Sequence, residues 1–190
     1  MTRVVIAEDE AIIRLDLKET LQEEGYDVVG ETGRGDEAVD LVKSLAPDLA
    51  ILDIKMPGMD GLEAARAISA DRSAAVLILT AFSQRDLIEQ ARDAGALAYL
   101  VKPFQKSELI PAVEVALGRF AEMKALAEEN SSLTEQLATR KLVDRAKGIL
   151  MDKHGLAESE AFRFVQKSAM DARKSLADVA HSVIDGLLGP

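Results

Sequence analysis

The sequence has no cysteine and little histidine. Without cysteine among its 190 residues, disulfide bonds and thiolate metal sites are excluded. The two histidines, His154 and His181, stand apart from other candidate ligands or catalytic groups, so neither a histidine-based metal site nor a histidine-based catalytic centre is predicted. Aromatic residues make up only 4% of the chain, so few rings are expected on the surface.

The chain also lacks a long apolar run. No stretch approaches the roughly 18 uncharged apolar residues that a membrane span requires. The sequence opens on an apolar strand, without the basic region or small-residue cleavage site of a secretion signal. With 48% hydrophobic and 29% charged residues, its composition is that of an ordinary globular protein. We therefore expect a cytoplasmic protein with no membrane contact.

Positive charge is scarce overall but unevenly placed. The net charge of −10 argues against a nucleic-acid partner for the chain taken as a whole. Residues 1–118 carry 12 Lys and Arg against 22 Asp and Glu, and residues 119–138 carry 2 against 4. Residues 139–190 carry 9 against 7, a net charge of +2. We therefore divide the chain into a domain at 1–118, a linker at 119–138 and a domain at 139–190. A mildly basic tail on an acidic body suggests that the two domains have separate partners.

Strands and helices alternate through the first 118 residues. Short apolar and β-branched runs predict strands at 3–7, 28–30, 49–53, 75–80 and 97–101. The segments between and after them have helical spacing, and this alternation implies right-handed βαβ units. We predict a flavodoxin-like α/β domain, (βα)5, with a parallel sheet in the order 2-1-3-4-5. Its crevice would lie at the carboxyl ends of strands one and three.

Polar groups that can act together end four of these strands. Glu8 and Asp9 follow strand one, Asp53 ends strand three, Thr80 ends strand four and Lys102 follows strand five. Clustered carboxylates suit Mg²⁺, and a carboxylate placed among them can also act as a nucleophile and form an acyl phosphate. The metal, the ammonium group and the hydroxyl would offset the charge of an incoming phosphoryl group. Asp53 is therefore predicted to be both a metal ligand and the nucleophile.

These segments resemble the receiver domain of two-component response regulators. The resemblance is carried by Glu8-Asp9-Glu10, Asp53 to Gly61, Thr80-Ala81 and Lys102-Pro103-Phe104. It implies that a phosphohistidine of a sensor histidine kinase transfers its phosphoryl group to Asp53. It also implies an Mg²⁺ ion with these ligands: Asp9, Asp53, the backbone carbonyl of Lys55 and, through water, Glu8.

The same resemblance implies further roles at the site. Thr80 and Lys102 would contact the phosphoryl oxygens, and the peptide bond before Pro103 would be cis. Tyr99 would be the switch aromatic residue, which moves inward as Thr80 engages the phosphate. Such a protein modifies and dephosphorylates only itself and is not otherwise an enzyme. The alternative is an Mg²⁺-dependent phosphohydrolase that uses Asp53 as its nucleophile and turns over external phosphate esters.

A long helix is predicted from Lys106 to about Lys153, since the one proline in this stretch comes early enough for a first turn. Within it, residues three and four apart form a short coiled-coil seam with an asparagine at an a-type position. The seam comprises Met123, Leu126, Asn130, Leu133 and Leu137. It predicts self-association, and the alternative is a helix docked on its own domain.

Residues 139–190 are expected to form a small bundle of three helices. The third helix is predicted over 176–188, after a capping box of Ser175 and Asp178. The second helix begins after Ala157, which lacks the hydroxyl of a good cap, so its start is less secure. Four small residues are interpreted as positions where helices approach closely: Ala146, Gly148, Ala161 and Ala169.

This tail resembles the ANTAR domain, in the run from Arg145 to Met151 and in Ala161-Phe162, Ala169-Met170 and 178–180. That family consists of coiled-coil-led three-helix modules that bind RNA in transcription antitermination regulators. The resemblance implies that the target is a pair of stem-loops in nascent RNA, which suits the homodimer that we expect the seam to form on phosphorylation. No DNA partner is expected, because a DNA-binding domain usually needs more residues and no strands for a wing follow residue 118. RNA binding needs cations for the phosphates. The candidates are Arg140, Lys141, Arg145, Lys147, Arg163, Lys167, Arg173 and Lys174.

The low net charge of the tail keeps one alternative open. The protein could be a phosphorylation-controlled adaptor whose tail binds a partner helix rather than RNA. RNA binding that weakens steeply with salt would argue against this alternative.

Overall fold

The computed structural model describes residues 1–81 and 85–190, with the backbone alone for Arg85. Its five strands form one parallel sheet in the order β2-β1-β3-β4-β5, which confirms the predicted order. The strands are β1 (Arg3–Ala7), β2 (Asp27–Thr32), β3 (Leu49–Asp53), β4 (Ala75–Thr80) and β5 (Ala98–Val101).

Helices cover both faces of the sheet and continue beyond it. Within the described ranges they are α1 (Ala11–Glu23), α2 (Gly35–Leu45), α3 (Gly61–Ala70), α4 (Arg85–Asp93), α5 (Lys106–His154), α6 (Glu158–Ala172) and α7 (Leu176–Ile184). The prediction that the last helix reaches Leu188 is wrong. The chain leaves the helix because Gly186 adopts a φ of 73°, and the next two amides donate instead to the Ser182 carbonyl.

The central strands β3 and β4 are buried along their whole length. Helices α2 and α3 pack on one face of the sheet, where Val42 and Ile68 join its core. Helix α1 and the first turns of α5 pack on the other face, through residues such as Leu17 and Leu109. A strand covered on both faces must be apolar throughout, and this explains the unbroken apolar run that ends at Asp53.

The chain divides into two compact units, Met1–Lys124 and Ala125–Pro190. In the second unit the end of α5 packs with α6 and α7 around a core that includes Val143, Leu150 and Val165. Ala146, Ala161 and Ala169 are buried there, as predicted for close helix packing. Gly148 does not fit that interpretation, because a Cβ atom at this position would meet nothing within 4 Å.

The two short tail helices start differently. At α7 the Ser175 hydroxyl accepts a hydrogen bond from the Asp178 amide, at 3.1 Å, and the Asp178 carboxylate accepts one from the Ser175 amide, at 3.3 Å. The predicted capping box is therefore confirmed. At α6 only one of the two capping-box hydrogen bonds is present, the one that the Ala157 amide donates to the Glu160 carboxylate at 2.9 Å. The alanine leaves the first turn of α6 without a side-chain acceptor, as its sequence indicates.

Candidate functional site

The carboxyl ends of β1, β3 and β5 bring three charged side chains into contact. Lys102 Nζ donates to Glu8 Oε2 at 2.7 Å and lies 3.1 Å from Asp53 Oδ1. The peptide bond that follows Lys102 is cis, the isomer that the family resemblance implies. An ammonium group shared by two carboxylates holds the ends of these strands together electrostatically.

Burial controls the protonation of this group. Glu8 and Asp53 are 0% and 5% exposed, and their burial raises the pKa of each carboxyl above its usual range, against the opposing effect of Lys102. Burial alone would lower the pKa of Lys102, but its hydrogen bonds to Glu8 and Asp53 outweigh that effect and raise it. Lys102 therefore remains a cation that counters two poorly solvated carboxylates.

A third carboxylate completes an acidic cluster. One oxygen each from Glu8, Asp9 and Asp53 lies within 4.8 Å of the others. Hard oxygen donors with several negative charges and one exposed member fit Mg²⁺, which retains part of its water shell when it binds to proteins. The residues present thus match the donor set expected of a magnesium-binding receiver site.

Asp9, Asp53 and Lys102 line a depression of about 490 Å³ at the edge of the sheet. Thr80, which is buried, lines it together with Lys55, Ile54 and Leu87. Tyr99, the predicted switch residue, does not line this depression and is 45% exposed in this structure. The geometry therefore gathers the predicted phosphate-contacting groups, while Tyr99 has an exposed side chain.

Glycine fixes the loop between β3 and α3. A Cβ atom on Gly61 would lie 1.9 Å from the Asp53 carbonyl oxygen, so the helix start can approach the strand end only without a side chain. The Gly61 amide donates to the Ile54 carbonyl at 2.9 Å. Asp60 caps α3 by accepting from the Glu63 amide at 2.8 Å. This loop therefore sets where the Asp53 carboxylate lies.

Two positioning contacts were not predicted from the sequence. The Arg14 guanidinium donates to the backbone carbonyl of Glu8, and the Glu10 amide donates to the Glu8 carboxylate at 3.2 Å. Both contacts orient the residue that Lys102 binds. The sequence signal for the Arg14 contact was an arginine near the start of α1, six residues after Glu8.

Most of the predicted RNA-binding cations are exposed in the tail. Lys147 differs, since its side chain is 16% exposed and its Nζ lies 2.9 Å from both Asp144 Oδ1 and Glu158 Oε1. Lys147 therefore joins α5 to α6. Among the residues that the structure describes, the other seven candidates form no ion pair, and they are Arg140, Lys141, Arg145, Arg163, Lys167, Arg173 and Lys174.

The predicted seam on α5 is uncovered in the single chain. Met123, Leu126, Leu133 and Leu137 are 44%, 59%, 51% and 59% exposed, and Asn130 is exposed as well.

Within the described part of the chain, no helix has the length and apolarity needed to cross a membrane.

A doubly covered parallel sheet with an acidic cluster and a lysine at its carboxyl edge is the architecture of a receiver domain. The family profile of the response regulator receiver domain matches residues 4–114, and that of the ANTAR domain matches residues 131–184. The chain therefore belongs to the response regulators that combine a receiver domain with an ANTAR domain.

The match to one of the curated relatives extends over almost the whole chain. The transcriptional regulatory protein PdtaR of Mycobacterium tuberculosis H37Rv is 57% identical over 188 residues, which span 99% of this chain and 92% of PdtaR. The chemotaxis protein CheY of Thermotoga maritima is 39% identical over 112 residues, covering 58% of this chain and 93% of CheY. The likeness to CheY is thus limited to part of the chain.

Solved structures agree with the receiver fold. The receiver domain of the response regulator NarL from Mycobacterium tuberculosis superimposes with a TM-score of 0.59 at 34% identity, covering 62% of this chain and 96% of that one. A CheX–CheY complex from Borrelia burgdorferi, which carries BeF3 and magnesium, superimposes with a TM-score of 0.57 at 27% identity, covering 59% of this chain and 86% of that one.

Proposed function

We propose that this protein is a phosphorylation-controlled RNA-binding regulator that promotes transcription antitermination in the cytoplasm. The observation that carries the proposal is the position of Asp53, a buried carboxylate at the end of β3 with its oxygens beside two further carboxylates and an ammonium group. Membership of the receiver and ANTAR families supports a sensor histidine kinase as phosphoryl donor and RNA as output partner.

In the proposed reaction, an oxygen of the Asp53 carboxylate attacks the phosphorus of a phosphohistidine on the kinase. A P–O bond forms while the P–N bond breaks, and the histidine nitrogen keeps the electron pair of that bond. The product is an acyl phosphate on Asp53. The chain is a signalling regulator whose chemistry is confined to its own phosphorylation and dephosphorylation.

Neighbouring groups would stabilise the transferred charge. Asp9, Asp53 and the Lys55 carbonyl would hold Mg²⁺, with Glu8 acting through water, and the ion would neutralise charge on the phosphoryl oxygens when bound. The Lys102 ammonium group, which already lies 3.1 Å from Asp53, would donate to one phosphoryl oxygen. The Thr80 hydroxyl would donate to another.

Phosphorylation would then shift the population between two receiver states, with Thr80 and Tyr99 as the switch pair. The phosphorylated state would favour a homodimer along the exposed α5 seam, because pairing buries the four apolar side chains that single chains leave exposed. The seven exposed cations of each tail would contact RNA phosphates, and their exposure supports this role.

Sedimentation with matched variants tests the phosphorylation step. Wild type, Asp53→Asn and the control Asp40→Asn, an exposed residue on α2, are compared with and without Mg²⁺ and acetyl phosphate or beryllofluoride. We expect the wild type and the control to dimerise on activation and Asp53→Asn to remain unchanged. Dimers throughout, or monomers throughout, would refute a switch on Asp53. Turnover of external phosphate esters would indicate a phosphohydrolase.

Hairpin RNAs with a fixed stem and randomised loop, titrated on the activated full chain, test the output. We expect binding whose affinity falls steeply as salt rises, because phosphate contacts release counterions. A matched duplex without a loop is the control. Absence of hairpin binding by the activated protein would refute the RNA function and favour the adaptor alternative.

A further inference from the structure

A groove in the tail combines an exposed aromatic ring with balanced charges. It lies along α5 between Ser132 and Lys147 and is closed on the other side by Phe162 of α6 and Leu176 of α7, with a volume of about 600 Å³. All of its lining residues belong to the second compact unit. Phe162 is 39% exposed, although neighbouring residues of α6 such as Ala161 and Val165 are fully buried.

The charges of this groove do not suit a phosphate group. Two cations, Arg140 and Lys147, line it together with two carboxylates, Glu135 and Asp144. Lys147 is already bound to Asp144 on α5 and to Glu158 on α6, at 2.9 Å in each case. A phosphate in the groove would therefore meet carboxylates as well as cations. The groove favours an uncharged ligand over an anion.

The groove does offer both kinds of hydrogen-bonding group around the ring. The carboxylate of Asp144 can accept hydrogen bonds and the guanidinium of Arg140 can donate them, while the amide of Gln136 can do both. A nucleobase is a planar, uncharged group with donors and acceptors on its edges and a face that stacks on aromatic side chains. Phe162 offers a stacking face of that kind.

We propose that this groove binds one unpaired nucleobase of an RNA loop, stacked on Phe162, with its edge toward Gln136, Arg140 and Asp144. The proposal rests on the RNA-binding function inferred above. It assigns different RNA contacts to the exposed cations and to the groove. The exposed cations contact phosphates of any sequence, whereas the Phe162 groove accepts a base and so distinguishes loops from uninterrupted duplex.

The chain itself supplies a specific probe. It contains no tryptophan, so Phe162→Trp introduces a single indole at the groove. Stacking of a base on the indole quenches its fluorescence. We expect a loop-containing hairpin RNA to quench Phe162→Trp and the same stem closed as a loop-free duplex to leave the emission unchanged. Equal quenching by both RNAs, or by neither while the hairpin binds, would overturn the proposal.

Affinity measurements separate base stacking from general RNA binding. Phe162→Leu keeps an apolar side chain but loses the ring, and Phe162→Trp keeps a ring. We expect Phe162→Leu to weaken hairpin binding by about tenfold or more, since stacking of one base contributes that order of affinity, and Phe162→Trp to retain it. Met170→Ala, on the same helix but outside the groove, is the matched control and is expected to bind as the wild type.

Abasic substitution identifies the base. Each loop position of the hairpin is replaced in turn by an abasic nucleotide and titrated against wild type and Phe162→Leu. We expect one abasic position to weaken binding to the wild type without further weakening binding to Phe162→Leu. Additive losses at every position would show that no base stacks on Phe162, while binding of unmodified hairpins would still support the RNA function. If the wild type binds no hairpin, the RNA function and this site both fail.

Two controls distinguish a lost base site from misfolding and from impaired dimerisation. Far-UV circular dichroism and urea midpoints establish that Phe162→Leu folds, so that a loss of affinity is not a loss of structure. Sedimentation of the same variant tests whether a second copy of the chain occupies the groove. A Phe162→Leu variant that binds RNA normally but fails to dimerise would overturn the base site.

Discussion

Lys102 and Glu8 form an ion pair across the sheet edge, with Nζ and Oε2 2.7 Å apart and side chains that are 10% and 0% exposed. The partners are 94 residues apart in the chain. Because both are shielded from water, removing Lys102 leaves the buried Glu8 carboxylate without its cationic partner. The pair therefore links the stability of the receiver to the acidic cluster that contains Asp53.

Lys102→Met is expected to destabilise the receiver by about 3 kcal/mol, because Glu8 and Asp53 are left as buried carboxylates without a cation. Added Mg²⁺ should recover part of the loss by supplying positive charge. The free energy of unfolding of the receiver is measured in urea, with tyrosine fluorescence as the signal. Both tyrosines, Tyr26 and Tyr99, lie in the first compact unit. Lys106→Met, which removes only exposed ion pairs with Glu23 and Glu24, is the control and should change little. Equal effects of the two variants would contradict the prediction.

Tyr26→Phe is expected to remove a pH-dependent part of receiver stability. The buried Tyr26 hydroxyl donates to the Glu114 carboxylate on α5, and burial, reinforced by Glu114, raises the pKa of Tyr26 to about 12. An exposed tyrosine has a pKa of about 10, so folding favours the neutral phenol. This stabilisation is complete below pH of about 10 and is lost as pH rises through about 12.

Unfolding free energies at a series of pH values, followed by circular dichroism, check this expectation. Tyr26→Phe should cost about 1 kcal/mol at neutral pH, the usual size of one hydrogen bond. It should also show a shallower alkaline loss than the wild type. Tyr99→Phe, at an exposed tyrosine, is the control. Parallel alkaline curves for wild type and Tyr26→Phe would show that Tyr26 does not carry the effect.

Gly61→Ala is expected to disrupt the loop that positions Asp53. The new Cβ would lie 1.9 Å from the Asp53 carbonyl oxygen, so the loop must move, at a cost of about 3 kcal/mol or more. Uptake of phosphoryl from acetyl phosphate should fall with it. Gly118→Ala is the matched control, because its Cβ meets nothing within 4 Å and alanine favours a helix. A Gly61→Ala protein as stable as Gly118→Ala would mean that the contact does not constrain the loop.

Gly148→Ala is expected to stabilise the tail by up to about 1 kcal/mol. The position lies inside α5 with open space around it, and alanine lowers the entropy cost of forming a helix. Circular dichroism during urea unfolding measures the change. A loss of stability would support the close-packing interpretation that the structure contradicts.

Substitutions at the N-caps of α6 and α7 are expected to change the stability of the tail in opposite directions. Ser175→Ala removes the acceptor for the Asp178 amide and should cost about 1 kcal/mol of tail stability. Ala157→Ser supplies the missing acceptor at the start of α6 and should increase stability by a similar amount. Thermal unfolding of both variants beside the wild type checks the pair. Changes of the same sign in both would refute the capping argument.

Sequence patterns predicted the sheet well because the burial of a strand directly determines which of its residues are apolar. The run 49–53 had to be apolar to lie between two helical layers, and its terminal aspartate had to lie at the sheet edge. Side-chain pairing was less predictable. Lys147 has the same charge as Arg145, and its pairing with Glu158 of α6 depends on where the fold places that carboxylate. Gly148 was misjudged because a small residue is compatible with both a packed and an open position.

The ion pair of Glu8 with Lys102 also has a consequence for the order of events during synthesis. The first of these residues leaves the ribosome 94 residues before the second, so a growing chain has its acidic cluster long before it has the counter-charge. The ion-paired cluster at the sheet edge can be completed only after β5 has emerged and docked. The carboxylates at the sheet edge thus lack Lys102 until the receiver is almost fully synthesised, and the ANTAR domain emerges only after that.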